Sequence, residues 1–395
     1  MFDVYQSDRN SETFNRWANL DVGVIEHPDV DSLERLWTDL ETRSDPSYFQ
    51  SWGWIGCWLR TLPAETRPSA VIVHDDFGKV VGLGLLGRYR NFRHGLLPTR
   101  GIYLNETGNA RLDSLTIEYN GLLAERGSLA DLADACVSFL VDHCPNWDEL
   151  FLHGMDPIQC DAFVSASRDR LSHRVLYDKP CPFVDLEAVR AEADGYLQAI
   201  SRNTRYQIRR ALRLYEKRGP VVFESARSVD DALLFFDGLK EYHQIYWRER
   251  GQPGSFANTF FEQFHRRLIK ERFDDSEIEL ARVSSPAGVI GYLYNFIYRG
   301  CVYAYQSGFQ YEADGKCKPG LVSHYLAIDH HLRNGAHTYD FMAGEGQHKK
   351  SLATHTRTLI WSAAQRRLLK FRVENSLRRW KNQSSFRRWI HGVHT

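Results

Sequence analysis

Cys301-Val302-Tyr303-Ala304-Tyr305-Gln306-Ser307-Gly308-Phe309 leads through the polar loop Gln310–Pro319 into Gly320–Asn334, and then into Thr338-Tyr339-Asp340-Phe341-Met342-Ala343-Gly344-Glu345. The first nine residues alternate aromatic and small side chains, as a strand does. Gly320–Asn334 has the length and apolar spacing of a helix, and Gly335 stands where a helix C-cap glycine is expected. Thr338–Met342 reads as a buried strand opening into a glycine-rich turn. A strand, a loop, a helix and a strand therefore lie in immediate succession.

Working outward, Ser201 can cap a helix over Asn203–Lys217 that stops at Gly219-Pro220. Helical spacing recurs over Asp230–Arg250 and Thr259–Phe273. Strand-like runs at Glu277–Val283, Val289–Tyr298 and Cys301–Phe309 are joined by Ser284–Gly288 and by Arg299-Gly300, which reads as two hairpins. The first half repeats this order. Helices are expected at Asp31–Arg43, Tyr48–Leu62 and Ser128–His143. Strands are expected at Ala70–Asp75, Val80–Tyr89, Gly101–Asn105, Thr116–Leu123 and Glu149–His153. A duplication explains so long a repeated order, and the alternative is one large mixed sheet. Asp156–Pro182 reads as a connector with a helix near Cys160–Arg170 and a strand near Arg174–Tyr177. No low-complexity linker separates the halves, so they should pack together.

The composition fits this plan. The 395 residues suit two domains rather than one core. Charged residues are 25% and hydrophobic residues 43%, as in a soluble globular protein. Ten Trp and nineteen Tyr point to large cores. Net charge is zero, which excludes a global field toward nucleic acid or membrane. No apolar run approaches a membrane span, and Met1–Asn10 lacks the layout of a signal peptide, so a cytoplasmic location is expected. The seven cysteines are scattered without a Cys-x-x-Cys pair, which argues for reduced thiols.

The loop Lys316-Cys317-Lys318-Pro319-Gly320 delivers the chain into a helix N-terminus, where unpaired N–H groups and the positive dipole end suit a pyrophosphate. Gly320 lets the backbone approach a ligand, and Lys316 and Lys318 add charge. With Tyr305-Gln306-Ser307-Gly308, Lys318-Pro319-Gly320, Asp340-Phe341-Met342-Ala343-Gly344-Glu345 and Lys349, this region resembles the GNAT superfamily. The branch is that of acetyltransferases from bacterial polysaccharide-biosynthesis loci, related to the Fem-type peptidoglycan transferases. The resemblance covers about Ser201–Leu352 and includes Arg202, Arg205, Arg209 and Arg210 on an entry helix. It implies an α/β protein of tandem GNAT-like domains. These are a degenerate domain and connector over 1–178, which shapes an acceptor cleft, and an acyltransferase domain over 179–365. It further implies acetyl-CoA or another acyl-CoA as donor, with Lys316, Lys318, Gly320, Leu321, Val322 and Ser323 at the cofactor. Val322 replaces the second small residue of the usual pyrophosphate loop.

Acyl transfer needs a base for the acceptor, a donor for the oxyanion and a proton for the leaving thiolate. The resemblance places Tyr305–Ser307 and Asp340–Met342 at a splayed pair of strands. Tyr305 is the candidate acid. Glu345 is the candidate base, on the expectation that burial at a strand end raises its pKa. Lys349 and Arg205 are the candidate substrate contacts. Asp340 is expected to satisfy nearby backbone. No metal is expected, since Asp329-His330-His331 falls inside a helix without further ligands, and His324 lies two turns from His331.

Arg366–Ile390 holds nine Lys/Arg against Glu374. Leu369, Val373, Leu377 and Trp380 fall on one helix face, which suits an anionic membrane surface, RNA phosphates or packing on the protein itself. The expected function is acylation of an amine or hydroxyl on a sugar or lipid-linked glycan precursor, in the cytoplasm and peripherally at the inner membrane face. The alternatives are a Fem-type transferase using charged tRNA, and an inactive GNAT-like scaffold.

Overall fold

The computed structural model describes residues 13–17, 19–93, 97–192 and 195–374. Strands β1 (Thr13–Trp17) and β2 (Leu20–Ile25) open the first half. Helices α1 (Val30–Thr42) and α2 (Trp52–Thr61) follow, with strands β3 (Ser69–Asp75), β4 (Val80–Arg93), β5 (Leu97–Leu104) and the short β6 (Leu123–Ala124). Helix α3 (Leu129–Asp142), strand β7 (Glu149–Met155), helix α4 (Pro157–Ser167) and the long strand β8 (Leu171–Asp185) lead into the second half. There α5 (Leu186–Ala191), α6 (Tyr196–Ala199) and α7 (Arg202–Glu216) precede β9 (Val222–Ser225), α8 (Val229–Arg248) and α9 (Thr259–Arg272). The chain continues as β10 (Ile278–Ser285), β11 (Gly288–Tyr298), β12 (Cys301–Phe309), α10 (Pro319–Arg333), β13 (Thr338–Asp340), α11 (Gln347–Leu352) and β14 (His355–Arg366).

Local chemistry sets most helix starts. Asp29, Ser51, Asp156, Ser201, Ser228 and Asn258 each accept a backbone N–H in the first turn, satisfying donors that the helix leaves open. Gly335 ends α10 at φ 82°, a conformation that costs glycine little.

The strands form one sheet in the order β1-β2-β3-β4-β5-β7-β14-β8-β13-β12-β11-β10-β9, with β6 on β4. The strands thus make one large mixed sheet, within which the two halves repeat a pairing pattern. In the first half β3, β4 and β5 are antiparallel and β5 pairs parallel with β7. In the second half β10, β11 and β12 are antiparallel and β12 pairs parallel with β13. A division at 178/179 passes through the middle of β8, and β14 pairs with β7 on one side and β8 on the other. Strand exchange therefore ties the halves together.

Two sequence expectations change here. Thr116–Leu123 is mostly irregular rather than a strand. Asn105, Thr116 and Tyr119 take positive φ there, and the Asn105 and Asn120 side chains hold the backbone of Leu85, Leu104 and Gly121. Strands β1, β2, β9 and β14 were not anticipated.

The largest core lies between the halves. Trp37, Trp54 and Trp58 from α1 and α2 meet Phe236, Phe261 and Phe264 from α8 and α9, and Trp54 and Phe264 approach to 4.8 Å. Five of the ten tryptophans, Trp37, Trp52, Trp54, Trp58 and Trp361, lie in this core. Separate apolar clusters pack α3 and α4 on the first half and α10 on the second. All seven cysteines are free thiols. The proposed basic tail, 366–390, lies outside the described residues beyond 374. Its first turn is docked, with Phe371 buried, Lys370 on Asp148 at 2.8 Å and Glu374 on Arg93 at 2.8 Å. Leu369 and Val373 are exposed.

Candidate active site

Parallel pairing of β12 with β13 lasts three residues and ends at Tyr303 opposite Asp340. Just beyond, the β11–β12 register shifts so that Gln306 faces Tyr294 while Ala304 faces Asn295, leaving Tyr305 as the extra residue of a bulge. The two strands therefore splay. A cleft of about 510 Å³ opens between them, with the Ala304–Phe309 backbone on one wall and Phe341, His348 and Lys349 on the other. The start of α10 closes one end through Lys318, Pro319, Gly320 and Leu321, and Tyr246, Trp247 and Tyr311 form an aromatic rim.

At the α10 terminus the Val322 N–H already donates to the Lys318 carbonyl at 3.0 Å, and Pro319 has no N–H. Gly320 and Leu321 consequently offer the open amides. Val322 is fully buried, and so is Ser323, whose hydroxyl has no partner. Lys318 lines the cleft, whereas Lys316 is exposed and does not. Of the six residues expected at a cofactor, Lys318, Gly320 and Leu321 reach the cleft. At Gly320 a Cβ would stand 3.2 Å from the Phe309 ring, so glycine keeps this mouth open.

The loop after β13 is held unusually firmly. Met342 takes φ 61°, a strained conformation for its side chain. Asp340 Oδ1 accepts the Met342 N–H at 2.6 Å, and Glu118 accepts the Ala343 N–H at 2.6 Å. Phe341 and Gly344 N–H groups donate to the carbonyls of Pro182 and Pro180. Lys349 Nζ donates to the carbonyls of Ala343 at 2.9 Å and Met342 at 3.3 Å. Tyr119 donates its hydroxyl to Asp340 at 2.5 Å, and Arg357 stands 3.8 Å from the same carboxylate. Glu118 and Tyr119 come from the first half, so that half builds part of this site.

Burial dominates the electrostatics. It pushes the Glu118 carboxyl up to about 7 against the pull of the Ala343 N–H and Lys349. It raises Asp340 against Arg357 and Tyr119, and lowers Lys349 against Glu118. His348 keeps an exposed face on the cleft, and desolvation by its neighbours together with Lys349 lowers its imidazole, which favours the neutral form. Its ring stacks on His324 at 5.9 Å, and His324 Nδ1 meets the Tyr339 hydroxyl at 2.9 Å.

Several expected residues fall elsewhere. The Tyr305 hydroxyl donates to the Leu115 carbonyl at 2.5 Å and meets His265 Nε2 at 3.1 Å, inside the core between the halves. Tyr305 also lines the cleft, with its hydroxyl held by these junction contacts. Glu345 is exposed rather than buried and does not line the cleft. Arg205 lies on α7 in a separate groove with Arg202, Arg209 and Arg213. Lys349 does reach the cleft, and Asp340 satisfies backbone as expected. His330 and His331 converge with Glu279 of β10, their ligand atoms within 4.8 Å. That carboxylate already accepts from His331, Asn295 and Ser225 at 2.9, 2.8 and 2.8 Å, and these donors hold it down to about 2 although burial works against its charge.

The first half has the same splay point, with β5 and β7 parting after Tyr103 opposite Phe151. Its wedge is filled by the protein's own chain, since Asn120 bridges to Met155 there. That segment takes the place which the cleft occupies in the second half.

Residues 202–350 match the family model described as an acetyltransferase (GNAT) domain. These residues are a GNAT-type acetyltransferase domain. No curated protein matches the sequence. Among solved structures, FemX aligns with TM-score 0.55 and 12% identity over 86% of this chain and 96% of that one. A DUF2156 domain from Agrobacterium fabrum aligns with TM-score 0.50 and 10% identity over 86% and 93%. L-PGS from Bacillus licheniformis aligns with TM-score 0.50 and 10% identity over 89% and 95%. At such identities these likenesses establish a shared fold that extends through both halves, well beyond the GNAT domain match. No described helix is long and apolar enough to cross a membrane.

Proposed function

We propose that this protein transfers an acyl group from an acyl-CoA, acetyl-CoA in the first instance, to an amine or hydroxyl on a sugar or lipid-linked glycan precursor. The observation that carries the proposal is the cleft at the β12–β13 splay, which joins open helix-terminal amides to a preorganised polar wall. The Gly320 and Leu321 N–H groups and the Lys318 ammonium suit the diphosphate of the donor. The Ala304–Ser307 stretch on the cleft wall offers a path for the pantetheine and thioester.

The acceptor attacks the thioester carbonyl while His348, neutral and on the cleft wall, takes the acceptor proton. Lys349 stabilises the oxyanion of the tetrahedral intermediate. Collapse forms the amide or ester and releases the thiolate, which regains a proton from the imidazolium of His348. Glu118 acts through Lys349 and the Ala343 amide as a positioning residue. The aromatic rim of Tyr246, Trp247 and Tyr311 supplies flat apolar faces for a sugar ring at the acceptor side.

Thermal stabilisation tests the donor. CoA and acetyl-CoA should raise Tm, and Lys318→Ala should reduce that shift. His348→Ala should keep the shift while lowering acetyl transfer by about 10²–10⁴-fold. Stabilisation by charged tRNA with none by any CoA thioester would replace this reading with aminoacyl transfer.

A further inference from the structure

Helix α7 carries five arginines, Arg202, Arg205, Arg209, Arg210 and Arg213, and its one acid is Glu216 at the far end. Among the described residues none of the five pairs with a carboxylate. Arg43, Arg60, Arg126, Arg218 and Arg266, by contrast, each pair with a carboxylate. The pattern on α7 works against the helix itself. Arg202 and Arg205 lie in the first turn, at the positive end of the dipole, with no acid there. The 202/205, 205/209, 209/213 and 210/213 pairs place like charges at neighbouring positions, which is destabilising.

Packing does not require these charges. Thr204, Ile208, Ala211 and Tyr215 bury the inner face of α7 against α10 and the sheet. Arg202, Arg205, Arg209 and Arg213 instead line an open groove with Tyr206, whose ring is 55% exposed and lies under Arg210. The arginine row spans about 16 Å along the helix. Its far end adjoins the cleft, because Tyr215 packs with Cys317, and Arg218 pairs with Glu312 on the cleft lining.

We infer that the outer face of α7 docks on an anionic lipid bilayer. The chain as a whole is neutral, so only a partner that meets one face can profit from this row. A planar layer of anionic headgroups supplies the missing counter-charges along the whole helix at once. Tyr206, amphipathic and exposed among the arginines, suits the headgroup level. A base-stacking array, which a single-stranded nucleic acid would need, is absent from this face among the described residues. Docking here brings the cleft rim to the membrane and is independent of the donor reading above.

Vesicle flotation of the full-length chain tests this. The wild type should float with vesicles of phosphatidylcholine and phosphatidylglycerol, remain unbound to phosphatidylcholine alone, and be released by salt. A fourfold Arg→Gln variant at 202, 205, 209 and 213 should lose at least about tenfold in partitioning. The fourfold Arg→Lys variant should retain binding, which separates charge from folding. The segment after 374 is present in all three proteins, so unchanged flotation of the Gln variant would overturn the inference. Binding to RNA without binding to anionic vesicles would overturn it as well.

Discussion

Glu118 shows how a single buried carboxyl couples folding to chemistry. Its pKa is raised from about 4.5 to about 7, so the folded protein holds this proton more tightly than the unfolded chain. The stability it lends is complete below pH 4.5 and is lost as pH rises through 7, amounting to about 3 kcal/mol over that interval. Glu118→Gln keeps an acceptor for the Ala343 N–H but removes the titration. Denaturant melts between pH 4.5 and 7.5 should therefore lose this slope. Activity runs the other way, since the charged form supports the Lys349 ammonium. Acyl transfer by the wild type should rise with pH through about 7, and the Gln variant should lose that limb. At the same scale, Tyr119→Phe leaves a buried carboxylate short of a donor, and should cost about 1–3 kcal/mol in unfolding free energy.

Elements in the second half were legible because their signals are local. The helix over 319–333 follows from its apolar spacing, Pro319 and Gly335, and the three preceding strands from their turns. The bulge at Tyr305 was not legible. It arises from pairing with β11, and no local spacing announces the register shift. His348 carried no motif either, since its place on the cleft depends on α11 folding back beside α10. Glu118 is 225 residues from the amide it holds, beyond the reach of any spacing rule. Close packing between elements can also be tested. At Gly308 a Cβ would stand 2.4 Å from the Leu239 carbonyl oxygen, so β12 and α8 touch backbone to backbone. Gly308→Ala should push α8 off the strand and lower unfolding free energy by about 1–3 kcal/mol, with CoA binding weakened because the cleft wall shifts.

At the scale of the whole molecule, the repeated order of elements pointed to duplication, but the manner of joining was hidden. Neither β8 nor β14 has a local cue for its neighbours, and their 12-residue ladder is a long-range product of the finished fold. The same ladder makes the halves one cooperative unit. Ending the chain at residue 354 should abolish a single sharp thermal transition and expose both β7 and β8 edges, with aggregation as the readout. The position of β14 also bears on how the protein is made. It follows every strand it pairs with in the order of synthesis, yet it occupies the middle of the sheet. Every nascent chain must therefore hold an unfilled slot between β7 and β8, guarded from its neighbours on the polysome until β14 emerges.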